Sequence, residues 1–153
     1  MASFVKAADV AAAAVEIERR GRDLYLTTQK HAANGKDAEF FGFMASEEQR
    51  HEGIFSAMLG RLGGLELPAG STEPEYLDYV SILLDSHSLF MPGSQGRIVA
   101  DPLHAAIGME KDTILFFMAM RRLVPDSERK AVDACIDEEK KHLKMLHERL
   151  AAK

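Results

Sequence analysis

Four segments of the sequence carry apolar residues at a spacing of three and four, and each of these stripes contains a glutamate near its middle. This spacing places the side chains on one face of an α-helix, the face that a helical bundle buries. A chain that folds on these stripes has to bury carboxyl groups in its core. The stripes are Ala11, Ala14, Glu18, Gly21, Tyr25; Phe41, Met44, Glu48, His51, Phe55, Met58, Leu62; Leu103, Ile107, Glu110, Ile114, Phe117; and Val132, Cys135, Glu139, His142, Leu146.

Helix-capping and helix-ending residues predict where the four helices lie, and no alternating stretch bounded by turn residues indicates a strand. The predicted helices run from Phe4 or Ala8 to His31, from an N-cap at Asp37 to the glycines at 60, 63 and 64, from Asp101-Pro102 to about Arg122, and from after residues 124–127 to the C-terminus.

Short links join the first helix to the second and the third to the fourth, so each pair should be antiparallel neighbours. The connection between the pairs runs from Gly64 to Ala100. Thr72, with Glu75 three residues later, predicts the capped start of a short helix within it. We therefore expect an all-α, ferritin-like four-helix bundle with one long crossover, built from residues 1–153 as a single domain. The crossover helix should carry Tyr76, Tyr79, Val80, Leu83 and Leu84.

Four carboxylates buried close together repel one another, and burying even one without a partner costs several kcal/mol. No stripe position supplies a facing lysine or arginine. Two divalent cations would balance the four negative charges. Four glutamates and two neutral histidines form a mixed oxygen and nitrogen ligand set that suits iron or manganese. Each metal would take one histidine, one terminal glutamate and a share of two bridging glutamates.

The two halves of the chain match in register, because Glu18 lies 30 residues before Glu48 and Glu110 lies 29 residues before Glu139. This match indicates a duplicated helical hairpin with a pseudo-twofold axis. The spacing leaves one choice open in each half. The preceding glutamates, at positions 47 and 138, lie four residues before a histidine and fit the apolar spacing equally well.

The motifs EIERRGRDLY, ASEEQRHEGIF, AAIGMEKDTILFF and DEEKKHLKML resemble the rubrerythrin branch of the ferritin-like di-iron proteins, over essentially the whole chain. The resemblance selects Glu48 and Glu139 over their neighbours. It implies two iron ions, with manganese as the alternative metal. The implied ligands are Glu18, Glu48, His51, Glu110, Glu139 and His142.

The sequence departs from rubrerythrins at two places. Cys135 is the only cysteine in these 153 residues, so they are not expected to form the four-cysteine rubredoxin centre of rubrerythrins proper. Many rubrerythrins also carry a further glutamate one turn after the third-helix ligand. Thr113 stands at that position here, so we do not expect a redox-linked ligand exchange at that corner.

The resemblance implies a non-haem di-iron enzyme that reduces hydrogen peroxide with electrons from an external donor, such as a rubredoxin-like protein. The alternative is a ferroxidase that oxidises Fe(II) with oxygen and passes Fe(III) on for storage. A third hypothesis, a structural bundle without a metal, is disfavoured because all six ligands are present. The family resemblance further implies a homodimer.

Several other residues carry weaker expectations. Tyr25 either hydrogen-bonds a ligating carboxylate and relays protons or an electron, or fills the core. Cys135 should be a small buried residue and not a redox thiol. Met109, Met118 and Met120 are expected in the core. Surface or capping positions are expected for His31, His87, His104 and His147.

Net charge and hydropathy exclude several classes of partner. The net charge is −5, and no basic block is interleaved with aromatic residues, so neither a nucleic acid nor an anionic membrane surface is expected to bind. The longest purely apolar run, residues 114–120, is far too short to span a bilayer. Residues 1–17 are too polar for a secretory signal, so we expect a cytoplasmic protein.

Overall fold

The computed structural model describes residues 3–153, which form two antiparallel pairs of long helices and a helical crossover. The expected all-α bundle with one long crossover is confirmed. Among these residues the β-type pairing is limited to an isolated bridge between Lys6 and Glu66. The helices are α1 (Ala7–Lys30), α2 (Gly35–Leu62), α3 (Pro74–Asp85), α4 (Ser94–Ala100), α5 (Pro102–Met120) and α6 (Asp126–Ala151), with short 3₁₀ turns at Ser88–Phe90 and Arg121–Leu123.

Two of the predicted helix caps are wrong. Asn34, not Asp37, caps α2, and its side-chain oxygen accepts a hydrogen bond from the Asp37 N–H at 2.9 Å. Asp37 lies inside the first turn and pairs instead with Arg149 of α6. The crossover helix is not capped by Thr72. It begins at Pro74, whose missing N–H and fixed φ suit the first helical turn without a side-chain cap.

The crossover lies against α5. The Tyr76 hydroxyl of α3 donates to the Ala119 carbonyl, and the Arg122 guanidinium lies 4.0 Å above the Tyr76 ring. The sequence analysis missed α4, a helix of seven residues that follows Gly93, whose positive φ of 81° glycine adopts without strain. The crossover therefore contains two helices and a 3₁₀ turn instead of the one short helix that was predicted.

The predicted apolar stripes of α1, α2 and α6 are buried along their whole length. The stripe predicted for α5 is partly wrong, because Ile107 and Ile114 are only half-buried whereas Met109 and Phe116 are fully buried. This helix is apolar on most of its circumference and packs against α1, α3, α4 and α6, so no single face is its buried face. Met118 is 54% exposed and is not in the core as expected.

Two apolar clusters fill the bundle on either side of its middle layer. One contains Phe55, Phe117 and Cys135, and the other contains Tyr25 and Phe41. Each long helix contributes to both clusters and carries its stripe glutamate between them. The polar layer is thus covered above and below by hydrocarbon.

Ion pairs hold α2 and α6 together near both of their ends. Arg61 donates two hydrogen bonds to Glu128, at 2.9 and 2.8 Å, and Arg149 donates two to Asp37, at 3.2 and 2.6 Å. These hydrogen bonds lower the pKa of both carboxyl groups. The two helices that carry the Glu-x-x-His motifs are therefore fixed in register on both sides of the polar layer.

No helix within residues 3–153 combines the length and the apolar character needed to cross a membrane.

Candidate metal centre

The structure brings together all six residues that the sequence analysis proposed as ligands. They come from four helices, α1, α2, α5 and α6, and each side chain is at most 2% exposed. The residues are Glu18, Glu48, His51, Glu110, Glu139 and His142.

The six side chains form two overlapping groups that share two carboxylates. In each group, one ligand atom from every residue lies within 4.8 Å of the others. Both groups contain Glu48 and Glu139, which fits the bridging positions proposed for them. The first group is completed by Glu18 and His51, and the second by Glu110 and His142.

The two histidines point the same ring nitrogen into the cluster. Nδ1 of His51 and Nδ1 of His142 lie within hydrogen-bond distance of the two oxygens of Glu139, at 3.0 and 2.9 Å. Nδ1 of His51 also lies 3.6 Å from Glu18, and Nδ1 of His142 lies 3.8 Å from Glu110. These nitrogens and carboxylates are the atoms that would face a metal.

Burial makes this cluster electrostatically unfavourable without a cation. Burial and then the charge of Glu139 raise the pKa values of Glu18, Glu48 and Glu110 well above the ordinary range. Burial acts on Glu139 in the same direction, but hydrogen bonds from the two histidines outweigh it and lower its pKa. Burial therefore opposes four negative charges in the cluster, and bound cations would favour the ionised carboxylates.

The donor set fits two divalent metal ions. Five carboxylate oxygens in the cluster are buried and have no hydrogen-bond partner, which costs free energy unless something binds them. Glutamate oxygens together with imidazole nitrogens suit iron and manganese. The unpartnered atoms are both oxygens of Glu18, both oxygens of Glu48 and Oε2 of Glu110.

Tyr25 contacts the cluster and does not only fill the core. Its hydroxyl donates to Oε1 of Glu110 at 2.5 Å, and its side chain is fully buried. Burial and the neighbouring carboxylates raise the pKa of Tyr25 well above its ordinary value, so the phenol keeps its proton. This contact is the arrangement expected for a residue that orients a ligating carboxylate.

Gly21 is required by the position of Glu48. A β-carbon at position 21 would lie 2.9 Å from Oε2 and 3.3 Å from Cδ of Glu48. Real β-carbons essentially never show a contact as short as 2.9 Å, so the Glu48 carboxylate would have to shift. The glycine in the α1 stripe therefore provides the space for a shared carboxylate.

The two neighbouring glutamates that fitted the spacing equally well lie outside the cluster. Glu47 pairs with Arg50 at 2.9 Å. Glu138 also pairs with Arg50, and one of its oxygens accepts from Nε2 of His51 at 3.2 Å. A carboxylate on the outer nitrogen of a ligating histidine fixes the tautomer and the ring orientation. Spacing within a helix did not reveal this role, because the histidine belongs to α2 and the carboxylate to α6.

His87 is fully buried, which corrects the expectation of a surface residue. It does cap the turn Ser88–Phe90, since its Nδ1 accepts from the Leu89 N–H at 3.2 Å. Its Nε2 then donates to the Thr113 hydroxyl at 2.9 Å. Burial lowers the pKa of His87 to about 4, so the ring is neutral. Thr113 stands at the position of the further glutamate of many rubrerythrins, and here its hydroxyl hydrogen-bonds His87.

The sequence predictions for three histidines, for the cysteine and for two of the methionines are confirmed. His31, His104 and His147 are exposed. Cys135 is buried, and burial raises the pKa of its thiol to about 12. Met109 and Met120 lie in the core.

A solved structure has the same fold. A protein from Thermotoga maritima, described as ferritin-like and diiron-carboxylate, aligns with 97% of this chain and 96% of its own length, at a TM-score of 0.71 and 24% sequence identity. No curated protein matches the sequence significantly. The chain therefore has the fold of this protein, and within that fold it buries a carboxylate–histidine cluster that could hold metal ions.

The sequence itself identifies the family. The family model described as Rubrerythrin matches residues 9–151. The chain therefore belongs to the rubrerythrin family, and the family and the fold together suggest an oxidoreductase kind of activity.

Proposed function

We propose that the chain is a rubrerythrin-type peroxidase that reduces hydrogen peroxide to water at a pair of iron ions. The observation that carries this proposal is the pair of overlapping ligand groups that share Glu48 and Glu139. A shared carboxylate pair would hold two metal ions close together, and two adjacent ions would stabilise charge on both oxygens of a two-oxygen substrate.

The six residues divide into three roles in this proposal. Glu48 and Glu139 would be shared by the two ions, and each ion would also be held by one histidine and one of the terminal carboxylates, Glu18 or Glu110. When bound, the two iron ions would supply the two electrons that convert one peroxide molecule into two water molecules. Manganese is the alternative metal.

The surrounding residues control protons and water. The apolar clusters on both sides of the polar layer exclude bulk solvent, which strengthens every electrostatic interaction inside it. Tyr25 holds a proton at its phenol oxygen, 2.5 Å from Glu110, and its raised pKa keeps that proton in place at neutral pH. The phenol therefore acts as a hydrogen-bond donor that orients Glu110, and not as the source of the two protons that peroxide reduction consumes.

The proposal also needs partners that lie outside this chain. With a single cysteine, the chain cannot form a four-cysteine rubredoxin centre, so the electrons come from an external donor such as a rubredoxin-like protein. We further propose a homodimer located in the cytoplasm.

Rapid mixing tests the reaction. The protein is loaded anaerobically with Fe(II) to saturation and mixed with either hydrogen peroxide or oxygen, while the absorbance of oxidised iron is followed. Peroxidase function predicts two irons per chain and much faster oxidation by peroxide. Faster oxidation by oxygen, with continued iron uptake beyond two per chain, would overturn it in favour of the ferroxidase alternative.

A matched pair of variants links the reaction to the shared carboxylates. Glu48→Gln removes a bridging ligand and should abolish the rapid peroxide reaction. Glu47→Gln changes the adjacent residue, which pairs with Arg50 outside the cluster, and should leave the reaction unchanged.

A further inference from the structure

A cavity lies at one end of the bundle, where α1 and α6 end and α2 and α5 begin, and α4 forms part of its wall. We call it the end cavity, and its volume is about 170 Å³. None of the six candidate metal ligands lines it, so it is separate from the carboxylate–histidine cluster. The lining includes Thr28, Phe41, Ile98, Leu103, Arg149 and Lys153.

The inner wall of the end cavity is apolar. Phe41, Ile98 and Leu103 are each at most 5% exposed. Thr28 is also buried, but its hydroxyl is already used, because it donates to the Leu24 carbonyl at 2.9 Å. A buried wall of this kind leaves water without hydrogen-bond partners and favours a hydrocarbon group instead.

The exposed part of the lining is basic. The Arg149 side chain is 28% exposed, and Lys153 and His31 are exposed. The one acidic residue of this lining, Asp37, already accepts two hydrogen bonds from Arg149, at 3.2 and 2.6 Å. The opening therefore favours an anionic group, and the inner wall favours an apolar one.

Arg149 is held in one orientation and still has free donors. Its guanidinium lies 4.3 Å above the Phe40 ring, while Nε and Nη2 bond to Asp37. Among residues 3–153, Nη1 of Arg149 has no hydrogen-bond partner. A guanidinium that is already oriented can bind a carboxylate with little further loss of side-chain freedom.

We propose that the end cavity binds a small organic carboxylic acid. Its apolar body packs on Phe41, Ile98 and Leu103, and its carboxylate accepts hydrogen bonds from Arg149 at the opening. An engineered cavity of about 150 Å³ lined by leucine, isoleucine and phenylalanine binds one benzene molecule, so this cavity suits a body of about six carbons. It is too small to enclose a nucleotide or a long acyl chain.

The bound acid contacts a residue that packs on Tyr25. The ring of Phe41 stacks on the ring of Tyr25, with centroids 6.2 Å apart and an interplanar angle of 23°. One side chain therefore separates the end cavity from the tyrosine that bonds Glu110. No contact proposed for the acid involves a metal, so the inference is independent of the proposed function.

Calorimetric titration with benzoate tests the proposal, and benzamide is an uncharged probe of the same shape. Both probes are titrated at pH 7 into the full chain, once loaded with Mn(II) and once metal-free. One benzoate per chain should bind with a dissociation constant of about 1 mM or tighter, equally in both forms. Benzamide should bind about tenfold more weakly, because it lacks the charge that strengthens a hydrogen bond from Arg149.

Two variants test the two parts of the site. Leu103→Trp fills the apolar wall and should abolish binding of both probes, whereas Leu115→Trp adds the same ring at an exposed position of α5 and should bind them like the native protein. Arg149→Gln should still bind benzamide but lose the preference for benzoate. Arg61→Gln is its control, because it breaks the ion pair with Glu128 at the other end of α2 and α6, and it should keep the preference.

Three results would overturn the inference. The first is the absence of saturable benzoate binding to the native protein. The second is binding to the Mn(II)-loaded form alone, which would place the acid on the metal. The third is the same preference for benzoate in Arg149→Gln as in the native protein, which would show that Arg149 does not hold the carboxylate. None of these results bears on whether the cluster holds two metal ions, so the proposed function is tested separately.

Discussion

Replacing Gly21 with alanine places a methyl group against the carboxylate of Glu48, 2.9 Å from Oε2. An ordinary contact begins at 3.4 Å, so the carboxylate must move by about 0.5 Å. A shift of this size reaches the limit of about 0.5 Å that a preorganised metal site tolerates. We therefore expect Gly21→Ala to weaken metal binding by about 10- to 100-fold, which corresponds to about 1.4–2.7 kcal/mol.

The metal-free protein should respond differently to the same substitution. Without a metal, Glu48 is the movable end of a flexible side chain, and alanine stabilises a helix interior by about 0.5–1 kcal/mol relative to glycine. The free energy of unfolding of metal-free Gly21→Ala should therefore be unchanged or up to about 1 kcal/mol higher. The substitution should improve the helix while it damages the site.

Calorimetric titration with Mn(II), combined with urea denaturation in chelator, measures both effects. Gly53→Ala is the matched control, because it lies on α2 and a β-carbon there meets nothing within 4 Å. It should stabilise the helix and leave metal affinity unchanged. Equal Mn(II) affinity in Gly21→Ala and Gly53→Ala would refute the reasoning, because Glu48 would then not be held in place by a metal.

Three further predictions concern residues inside and beside the cluster. Glu138→Gln should weaken metal binding at His51 about 10- to 100-fold in a Mn(II) titration, whereas Glu47→Gln should not. Equal Mn(II) affinities of the two variants would show that the Glu138 carboxylate does not support the His51 imidazole. In chelator, Glu18→Gln should become more stable relative to the native protein as the pH rises above 4.5. The reason is that a carboxyl group whose pKa is raised in the folded state lowers the free energy of unfolding once the unfolded chain releases its proton. A difference in unfolding free energy that does not change with pH would contradict this. Cys135, with a pKa of about 12, should react with a disulfide reagent about a thousandfold more slowly in the native protein than in the unfolded one, and rapid native labelling would show that the thiol is accessible.

Helical periodicity alone was sufficient to predict the stripes of α1, α2 and α6, because each of these helices buries one continuous face. It was insufficient for α5, where neighbours on several sides bury residues such as Met109 and Phe116 that belong to no single stripe. The family resemblance made the choice of Glu48 over Glu47, and the structure places only Glu48 in the cluster.

Contacts between distant segments could not be predicted from spacing. His87 lies in the crossover, and nothing in its sequence surroundings indicates that its ring hydrogen-bonds Thr113 of α5. The contact between Glu138 and His51 joins residues of α6 and α2 that lie 87 positions apart in the sequence. In each case the packing of whole helices determines which side chains meet. The spacing of apolar residues along one helix does not indicate which side chains of other helices they will contact.

The count of metal ions bound by the native chain tests the central claim most directly. Metal-free protein is titrated anaerobically with Fe(II), unbound iron is removed, and iron per chain is measured for the native protein and for Glu139→Gln, which lacks a shared ligand. The account predicts two irons per native chain and fewer than two in the variant. One or no iron in the native protein, or two in both proteins, would contradict it.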